Sequence, residues 1–181
     1  MKLKTVVSRV QIPLFPLFLF LIFMSESEVR EIQVFLKSKS IPFQLLIHKP
    51  VFTSEEAARE RGMDLRNGVK ALFLKSKSNE FILACIAADR KIDLKKLESF
   101  SGLKKLKLSS PEEVKEKTNC EIGSVPPFMN LKGFKVFFDN SLLENELAEF
   151  NIGLHTHSIR MKLKDLVQAI QPIIADYSKL E

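Results

Sequence analysis

The sequence predicts a single domain of mixed α/β (α+β) architecture. Its 181 residues, 45% hydrophobic and 28% charged, have the length and balance of one compact globular domain. Helical and strand-like patterns alternate along the chain with short connections, and the apolar runs 69–75 and 81–87 flank a polar turn, which predicts a hairpin. Strands that pair locally and are interspersed with helices favour a mixed sheet.

Capping signals indicate where the helices begin and end. Apolar residues recur at helical spacing between 29 and 36, and Ser25 or Ser27 is the expected N-cap of this first helix. Thr53 and Ser110 each precede a glutamate by three positions, which is the capping-box pattern, and Pro111 fits the first helical position. The later predicted helices are one from 53 to about 62, one from 93 to about 102, one from 110 to about 119, a turn at 141–146 and a last helix at 163–170. The predicted strands are 43–47, 69–75, 81–87, 106–108, 134–138, 150–152 and 158–161.

The first 23 residues form an apolar extension ahead of a domain at 24–181. Basic residues precede an apolar run at 12–23, which contains Pro13 and Pro16 and is shorter than the about 20 residues of a membrane span. No small-x-small cleavage site follows it, as a signal peptide would require. We expect translation to start at Met24 and the extension to be a gene-model artefact. A secretory signal or a short membrane-associating tail are the alternatives.

Charge and cysteine content restrict the class of protein only loosely. The net charge of +6 is compatible with a polyanionic partner such as RNA, but a surplus of this size does not by itself indicate nucleic-acid binding. Cys85 and Cys120 are the only cysteines and form no CxxC pattern, which favours a reduced intracellular protein. Cys85 lies in the apolar run 81–86, so we expect it to be buried.

A stiff loop at 123–128 and a lysine inside an apolar strand are the candidate features of a binding site. Pro126 and Pro127 fix φ and lack an N–H, and Gly123 lets the backbone bend or approach another group closely. This composition suits a wall that holds a small ligand, or a proline-stiffened turn that only joins two elements. Lys70 begins the apolar run 69–74, so its charge must be paired, reach the surface, or face a ligand cleft.

The three histidines, His48, His155 and His157, offer little evidence of a metal site. His155 and His157 would project from the same strand face, yet a zinc site needs three or four ligands and no third is nearby. The sequence therefore favours surface histidines first and substrate-facing groups second. It also lacks phosphate-binding glycine loops, HExxH and GxSxG, and we expect neither a metal nor a cofactor.

Five segments follow one another in an order and spacing that are specific in combination. They are 68–74, 88–97, 109–114, 123–128 and 138–143, and they lead into Gly153 and 158–161. Their order resembles the YbaK/prolyl-tRNA-synthetase-associated editing domain family over about residues 24–170. The resemblance implies a YbaK-like fold with a mixed, curved sheet flanked by short helices.

The resemblance also implies a trans-acting aminoacyl-tRNA deacylase, which hydrolyses the ester between a mischarged tRNA and a small amino acid such as cysteine, alanine or serine. Lys70 matches the essential strand lysine that lies near the tRNA 3′ end in that family, and residues 123–127 match the loop that positions the ester and lines the amino-acid pocket. An aminoacyl ester is already activated, so the N–H groups of Gly123, Ser124 and Val125 would stabilise an oxyanion while a positioned water attacks. The residues expected to bind substrate are His48, Pro126, Pro127, Phe128, Asp139, Gly153, His155 and His157.

The expected partners are the aminoacylated 3′ end of a tRNA and an aminoacyl-tRNA synthetase, in the cytoplasm and without stable membrane association. A non-catalytic module of the same fold, which binds tRNA or a synthetase, is the alternative function. The alanine-specific branch of the family carries a His-Pro pair followed by Asn near the final strands. The stretch 153–158 has His155 and His157 without that proline and asparagine, so it does not indicate alanine specificity, and cysteine specificity stays open.

Overall fold

The structure is a computed structural model that describes residues 17–180, with side chains from residue 27 onward. The helices are α1 (Leu17–Ser38), α2 (Ser54–Arg61), α3 (Leu94–Ser101), α4 (Pro111–Thr118) and α5 (Leu163–Ile170). The strands are β1 (Gln44–Ile47), β2 (Val69–Lys75), β3 (Phe81–Ala87), β4 (Arg90–Ile92), β5 (Lys107–Leu108), β6 (Lys135–Asp139), β7 (Leu147–Asn151), β8 (His157–Lys162), β9 (Ile173–Ala175) and β10 (Ser178–Leu180).

The capping signals predicted three helix starts correctly. The hydroxyls of Thr53 and Ser110 accept the N–H of the residue three positions on, and the full capping box is present at both. Asp93 caps α3, which ends at Gly102 in the left-handed conformation. These local hydrogen bonds satisfy N–H groups that the first turn leaves unpaired, so they operate without help from the rest of the fold.

The start of the first helix was predicted wrongly. Ser25 and Ser27 lie inside α1, which begins at Leu17, because an apolar run that precedes a serine can continue a helix instead of ending at a cap. Residues 1–16 of the predicted extension at 1–23 lie outside the described residues. Within 17–180, no helix is both long enough and apolar enough to cross a membrane.

Within residues 17–180, the strands form three sheets. The largest is mixed and has the order β5-β2-β3-β6-β9, with β2 and β3 antiparallel and β3, β6 and β9 parallel. A three-stranded antiparallel sheet has the order β1-β8-β7, and β10 pairs with β4. The short strands β4, β9 and β10 were not predicted from the sequence, because each has three residues and gains its hydrogen bonds only from a distant partner.

Strand β3 is the centre of the fold because both of its faces are buried. Leu83, Cys85 and Ala87 point into a core shared with α1, α5 and the three-stranded sheet. The alternate residues of β3, namely Ile82, Ala84 and Ile86, point to the other side. They pack in a second core with Leu97 of α3 and Tyr177. A continuous apolar run of this kind is typical of a strand that is covered on both sides.

Both cysteines are buried and free, as the sequence predicted for Cys85. Burial raises the pKa of Cys85 far above its usual range, and burial likewise raises the pKa of Cys120 to about 12. Thiols in this state are small hydrophobic groups and not nucleophiles.

Tyr177 ties the C-terminal segment to the centre of the large sheet. Its hydroxyl lies 2.9 Å from the carbonyl oxygen of Cys85 on β3 and 2.8 Å from that of Phe137 on β6. The side chain has no exposed surface. This contact holds the segment that forms β10, and β10 in turn pairs with β4.

Replacing Tyr177 with phenylalanine should destabilise the protein without changing its fold. The ring still fills the core, but a buried hydrogen bond is lost, which costs about 1–2 kcal/mol. We expect the midpoint of thermal unfolding to fall by about 2–8 °C at this chain length. An unchanged midpoint in scanning calorimetry would show that the hydroxyl contributes nothing to folding stability.

Candidate functional site

A cleft of about 290 Å³ opens between the start of β2, the end of β7, the segment that leads into α2, and the loop after α4. Lys70, Gly123 and Val125, which the sequence analysis placed at a common site, all line it. Lys70 and Val125 are 55 residues apart in sequence, so only the fold brings them together. The 123–128 loop is thus one wall of a cleft and not merely a connection.

The meeting of two sheets creates this cleft. An isolated parallel bridge joins Gly68, just before β2, to Glu149 on β7. Gly68 has no room for a side chain, because a Cβ atom there would lie 2.9 Å from the Cβ of Ala88. The missing side chain lets the start of β2 approach its neighbours closely enough to place Lys70 at the cleft.

Lys70 is half-buried and lines the cleft, and its ammonium group is hydrogen-bonded. Its Nζ donates a hydrogen bond to the carbonyl oxygen of Arg90, at the start of β4, at 3.0 Å. Because β4 pairs with β10, the C-terminal strand helps to fix the carbonyl that positions this ammonium group. A cation held at the rim of a cleft suits contact with a phosphate or a ribose.

The N–H groups of the 123–128 loop differ in whether they are already hydrogen-bonded. Gly123 has φ +85°, and a Cβ atom there would come within 3.3 Å of the His155 ring. Within residues 17–180, neither the Gly123 N–H nor the Val125 N–H donates a hydrogen bond to another group. The N–H of Ser124 instead donates to Glu121 O at 3.0 Å, so Ser124 is not available as the predicted oxyanion donor.

Ser124 has a structural position in the loop. Its side chain is 1% exposed, its hydroxyl donates to Glu121 O, and it accepts the Glu121 N–H. Its carbonyl oxygen accepts the N–H of Gly153 at 2.9 Å. Gly153, which was expected to bind substrate, is absent from the cleft lining and anchors the loop through this bond.

Pro126, Pro127 and Phe128, which were predicted to bind substrate, do not line the cleft. All three are buried behind the loop. The Phe128 ring packs against Phe35 and Phe150, with centroid separations of 6.0 and 5.8 Å. Because Phe150 does line the cleft, these residues support the wall from the core side.

The prediction that His155 and His157 share a strand face is wrong. His155 lies in the turn before β8, where its Nδ1 is 2.9 Å from Val51 O and its ring is 4.6 Å from the Phe52 ring. His157 begins β8 and lies in a different groove, against α1. Neither lines the cleft. Nowhere in the described part of the chain do three or more His, Cys, Asp or Glu residues come together as metal ligands would.

A chain of side-chain hydrogen bonds connects His48 to the loop without bringing it to the cleft. His48 Nε2 lies 2.7 Å from Ser158 Oγ, and that hydroxyl donates to Asn151 Oδ1 at 2.9 Å. Asn151 Nδ2 then donates to Gly123 O at 2.7 Å. His48 is therefore placed to orient Asn151 and Gly123, and Asn151 itself lines the cleft.

Arg61, Glu149 and Asn151 are cleft residues that the sequence analysis missed. Glu149 is 2% exposed and accepts a hydrogen bond from Arg160 Nε, directly across the β7–β8 pair. Arg61 donates to Asn151 Oδ1, and its own carbonyl accepts from Arg160 Nη2 at 3.1 Å. Opposite charges within two short apolar strands, at 149 and 160, were the available signal.

Glu149 is buried at this end of the cleft, and the charged side chains around it are half-buried and positive. Burial lowers the pKa of Arg61 to about 10, the nearby Glu149 carboxylate partly counteracts this shift, and Arg160 adds to it. Arg61, Lys70 and Arg160 carry three positive charges against the one negative charge of Glu149. This surplus favours an anionic ligand group and disfavours a further cation.

Asp139, which was predicted to bind substrate, is buried and accepts hydrogen bonds from within the protein. It accepts hydrogen bonds from Ser141 N at 2.9 Å, Tyr177 N at 2.6 Å and Ser178 Oγ at 2.6 Å. Burial alone raises the pKa of Asp139, but the hydrogen bonds from Ser141, Ser178 and Tyr177 outweigh it and hold the pKa below its ordinary value. Asp139 is absent from the cleft lining.

Residues 48–169 match the family described as the aminoacyl-tRNA editing domain. The chain belongs to this family, whose members act on the ester of mischarged tRNA, and the resemblance noted in its segments is confirmed. The Multifunctional Ser/Thr-tRNA deacylase ProXp-y of Escherichia coli (strain K12) is 34% identical over 149 residues, which cover 80% of this chain and 89% of that protein.

Further matches agree on the family and the fold. The Prolyl-tRNA editing protein ProX of Acetoanaerobium sticklandii is 28% identical over 139 residues, covering 72% of this chain and 83% of that protein. A crystal structure of hypothetical protein APE2540 aligns with a TM-score of 0.76 at 25% identity, over 84% of this chain and 99% of that one. The predicted mixed α/β single domain is confirmed.

Replacing Asp139 with asparagine should reduce stability in a pH-dependent way. The three donors lose a charged acceptor, which costs about 2 kcal/mol near pH 7. Because the folded-state pKa is lowered, this contribution is present above the unfolded pKa of about 3.9 and disappears as the pH falls through the folded value. Urea unfolding at pH 7 and at stepwise lower pH should show the wild-type advantage shrinking below about pH 4.

Asp176→Asn is the control for this experiment, because Asp176 is 65% exposed and pairs only with Lys96 at the surface. We expect it to change stability by less than about 0.5 kcal/mol at either pH. A difference between wild type and Asp139→Asn that stays constant down to pH 3 would contradict the assignment.

Proposed function

We propose that this protein is a trans-acting aminoacyl-tRNA deacylase whose active site is the cleft at Lys70 and Gly123. The convergence of Lys70, Gly123 and Val125 on one cleft of about 290 Å³ is the observation that carries the proposal. Family membership gives the reaction class, and the cleft supplies the groups that this reaction needs.

The proposed reaction is hydrolysis by a positioned water. The water oxygen attacks the carbonyl carbon of the ester, and the bond from that carbon to the ribose oxygen breaks. The products are the free amino acid and a tRNA with its terminal hydroxyl restored. The N–H groups of Gly123 and Val125 stabilise the oxyanion of the tetrahedral intermediate, because both residues line the cleft and neither N–H is bonded to another described residue.

Lys70 positions the 3′ end in this scheme. Its ammonium group, fixed on the Arg90 carbonyl, binds the terminal phosphate or ribose and so holds the ester against the loop. Asn151 holds the loop in position by its hydrogen bond to Gly123 O. His48 orients Asn151 through the Ser158 hydroxyl. The surplus of positive charge at the cleft supports tRNA as the partner. We place the activity in the cytoplasm, where charged tRNA is used.

We propose a small amino acid as the group removed. A cleft of about 290 Å³ leaves little room for a large side chain once the terminal ribose is seated. Serine and threonine are the first candidates, because the relative from Escherichia coli is a Ser/Thr-tRNA deacylase by name and is 34% identical. Alanine and cysteine are the other small candidates.

A deacylation panel tests the proposal directly. Purified protein is incubated with tRNAs charged with serine, threonine, alanine, cysteine and a large residue such as phenylalanine, and the remaining ester is measured over time. We expect rapid loss of at least one small aminoacyl group and none of phenylalanine. Binding of these tRNAs without hydrolysis of any would instead support the non-catalytic module.

Substitution of Lys70 by alanine should remove activity while the fold persists. The substrate is then held loosely against the loop, and we expect kcat/KM to fall by about 100-fold or more. The lost bond to Arg90 O costs only about 1 kcal/mol, so the thermal midpoint should shift by a few degrees.

Lys75→Ala is the matched control, because Lys75 lies on the same strand and pairs with Glu113 away from the cleft. It should leave kcat/KM within about twofold of wild type. If Lys70→Ala lost its cooperative thermal transition along with its activity, Lys70 would have to be assigned a structural function.

A further inference from the structure

An exposed aromatic side chain, that of Phe52, lines the cleft. Phe52 is 69% exposed, and Ile122, which also lines the cleft, is 54% exposed. Of the large hydrophobic side chains that are exposed in residues 27–180, these two are the ones at the cleft. A single exposed apolar residue is ordinary on a protein surface, but an aromatic ring that is held in place beside a ligand site is a candidate contact for the ligand.

The protein holds Phe52 from one side. Its N–H donates to Glu56 Oε2 at 2.9 Å, and the same glutamate completes the capping box at the start of α2. Its ring packs on the His155 ring, with 4.6 Å between the centroids and 37° between the planes. His155 is itself tied to the preceding residue, because its Nδ1 lies 2.9 Å from Val51 O and its carbonyl accepts the Val51 N–H at 3.1 Å. The surface of the Phe52 ring that His155 does not cover is open to a ligand.

The pair of Phe52 and His155 adjoins the loop that carries the proposed oxyanion donors. A Cβ atom on Gly123 would lie 3.3 Å from the His155 ring and 3.8 Å from the Phe52 carbonyl oxygen. Phe52 is therefore a direct neighbour of the position where the proposed function places the ester carbonyl. In an aminoacyl-tRNA the terminal base is attached to the same ribose as the ester, so this base also comes to rest close to Gly123.

The chemistry around Phe52 suits a nucleotide. Proteins that bind single-stranded nucleic acid combine cationic groups, which contact the phosphates, with exposed aromatic rings, on which the bases stack. Lys70 and Arg61 line the same cleft and supply the positive charge, and Phe52 supplies the ring. A base is flat and apolar on both faces, so it can cover the open surface of the ring while its sugar and phosphate stay at the cations.

We propose that Phe52 is the stacking platform for the terminal base of the tRNA, the adenine of the CCA end, and that His155 supports the ring from behind. The inference rests on the proposed deacylase function and adds a contact for the base at the same cleft. With the base on Phe52 and the phosphate or ribose on Lys70, the terminal nucleotide is held at two points. Stacking uses the π-face that every base has, so this contact sets the position of the base and not its identity.

A hydrophobic staple is the alternative explanation of Phe52. The residue before an N-cap often packs against the fourth residue of the helix, and here these residues are Phe52 and Ala57, on either side of the cap Thr53. A staple needs apolar bulk, which leucine also provides, whereas stacking needs a flat ring. Because Phe52 is 69% exposed, a staple accounts for only a small part of its surface.

A fluorescent reporter at position 52 tests the contact directly. The chain contains no tryptophan, so Phe52→Trp places a single indole at the site. The probe is a non-hydrolysable mimic of the tRNA 3′ end, in which serine is joined by an amide to 3′-amino-3′-deoxyadenosine. We expect this probe to quench the tryptophan emission, because the stacked base lies in contact with the indole. The same amide on a sugar that carries hydrogen in place of adenine should leave the emission unchanged.

Phe100→Trp is the matched control for the reporter. Phe100 is the other exposed phenylalanine in residues 27–180; it is 55% exposed on α3 and does not line the cleft. Its emission should respond to neither compound.

Leucine and tyrosine at position 52 separate stacking from apolar bulk. We expect Phe52→Leu to bind the adenosine probe about fivefold or more weakly than wild type in calorimetry, because a stacked base is lost. Its affinity for the base-free amide and its thermal midpoint should stay close to those of wild type. Phe52→Tyr keeps the flat ring and should bind the adenosine probe within about twofold of wild type.

Three results would overturn the inference. They are tryptophan emission at position 52 that the adenosine probe does not change, a wild type that does not bind this probe more tightly than the base-free amide, and a Phe52→Leu variant with wild-type affinity for the probe. If wild type hydrolysed aminoacyl-tRNA in spite of such a result, the deacylase function would stand without the Phe52 contact. Quenching by the adenosine probe in a protein that hydrolyses no aminoacyl-tRNA would contradict the deacylase function while supporting the contact.

Discussion

The site depends on one close approach, the parallel bridge between Gly68 and Glu149. It is the point at which the β1-β8-β7 sheet meets the start of β2 in the large sheet. A Cβ atom at position 68 would collide with that of Ala88, so a glycine is required there for steric reasons and not for an unusual φ. Lys70 on β2 and Asn151 on β7 line the cleft on the two sides of this contact.

Around that bridge the protein keeps charges that would otherwise be costly to bury. Glu149 is enclosed, yet it faces Arg160 across the strand pair, and Arg160 also bonds the carbonyl at the end of α2. Burying an ion is tolerated when its partners are fixed, and here the partners belong to three separate elements. The same arrangement connects the packing of this region to the cleft, because Glu149 and Arg61 both line it.

Local signals were sufficient for most of the secondary structure. The caps at Thr53, Asp93 and Ser110 and the β2–β3 hairpin follow from hydrogen bonds and turns within a few residues, which the sequence displays directly. The strands β4, β9 and β10 carried no such signal, since each depends on a partner far along the chain. The start of α1 was predicted wrongly because a serine can either cap a helix or lie inside it, and Ser25 and Ser27 lie inside.

The sequence by itself determined the family, the mixed α/β class and two features of the site, Lys70 and the 123–128 loop, because ordered segments and stiff or charged residues are visible in one dimension. Only the tertiary structure decided which side of the loop faces the cleft. Pro126 to Phe128 are buried behind it, the Ser124 N–H is bonded to Glu121 O within the loop, and Asp139 accepts a hydrogen bond from the C-terminal segment. Tertiary structure also brought Arg61 and Glu149 together, since burial and hydrogen-bond partners arise from contacts between residues distant in sequence.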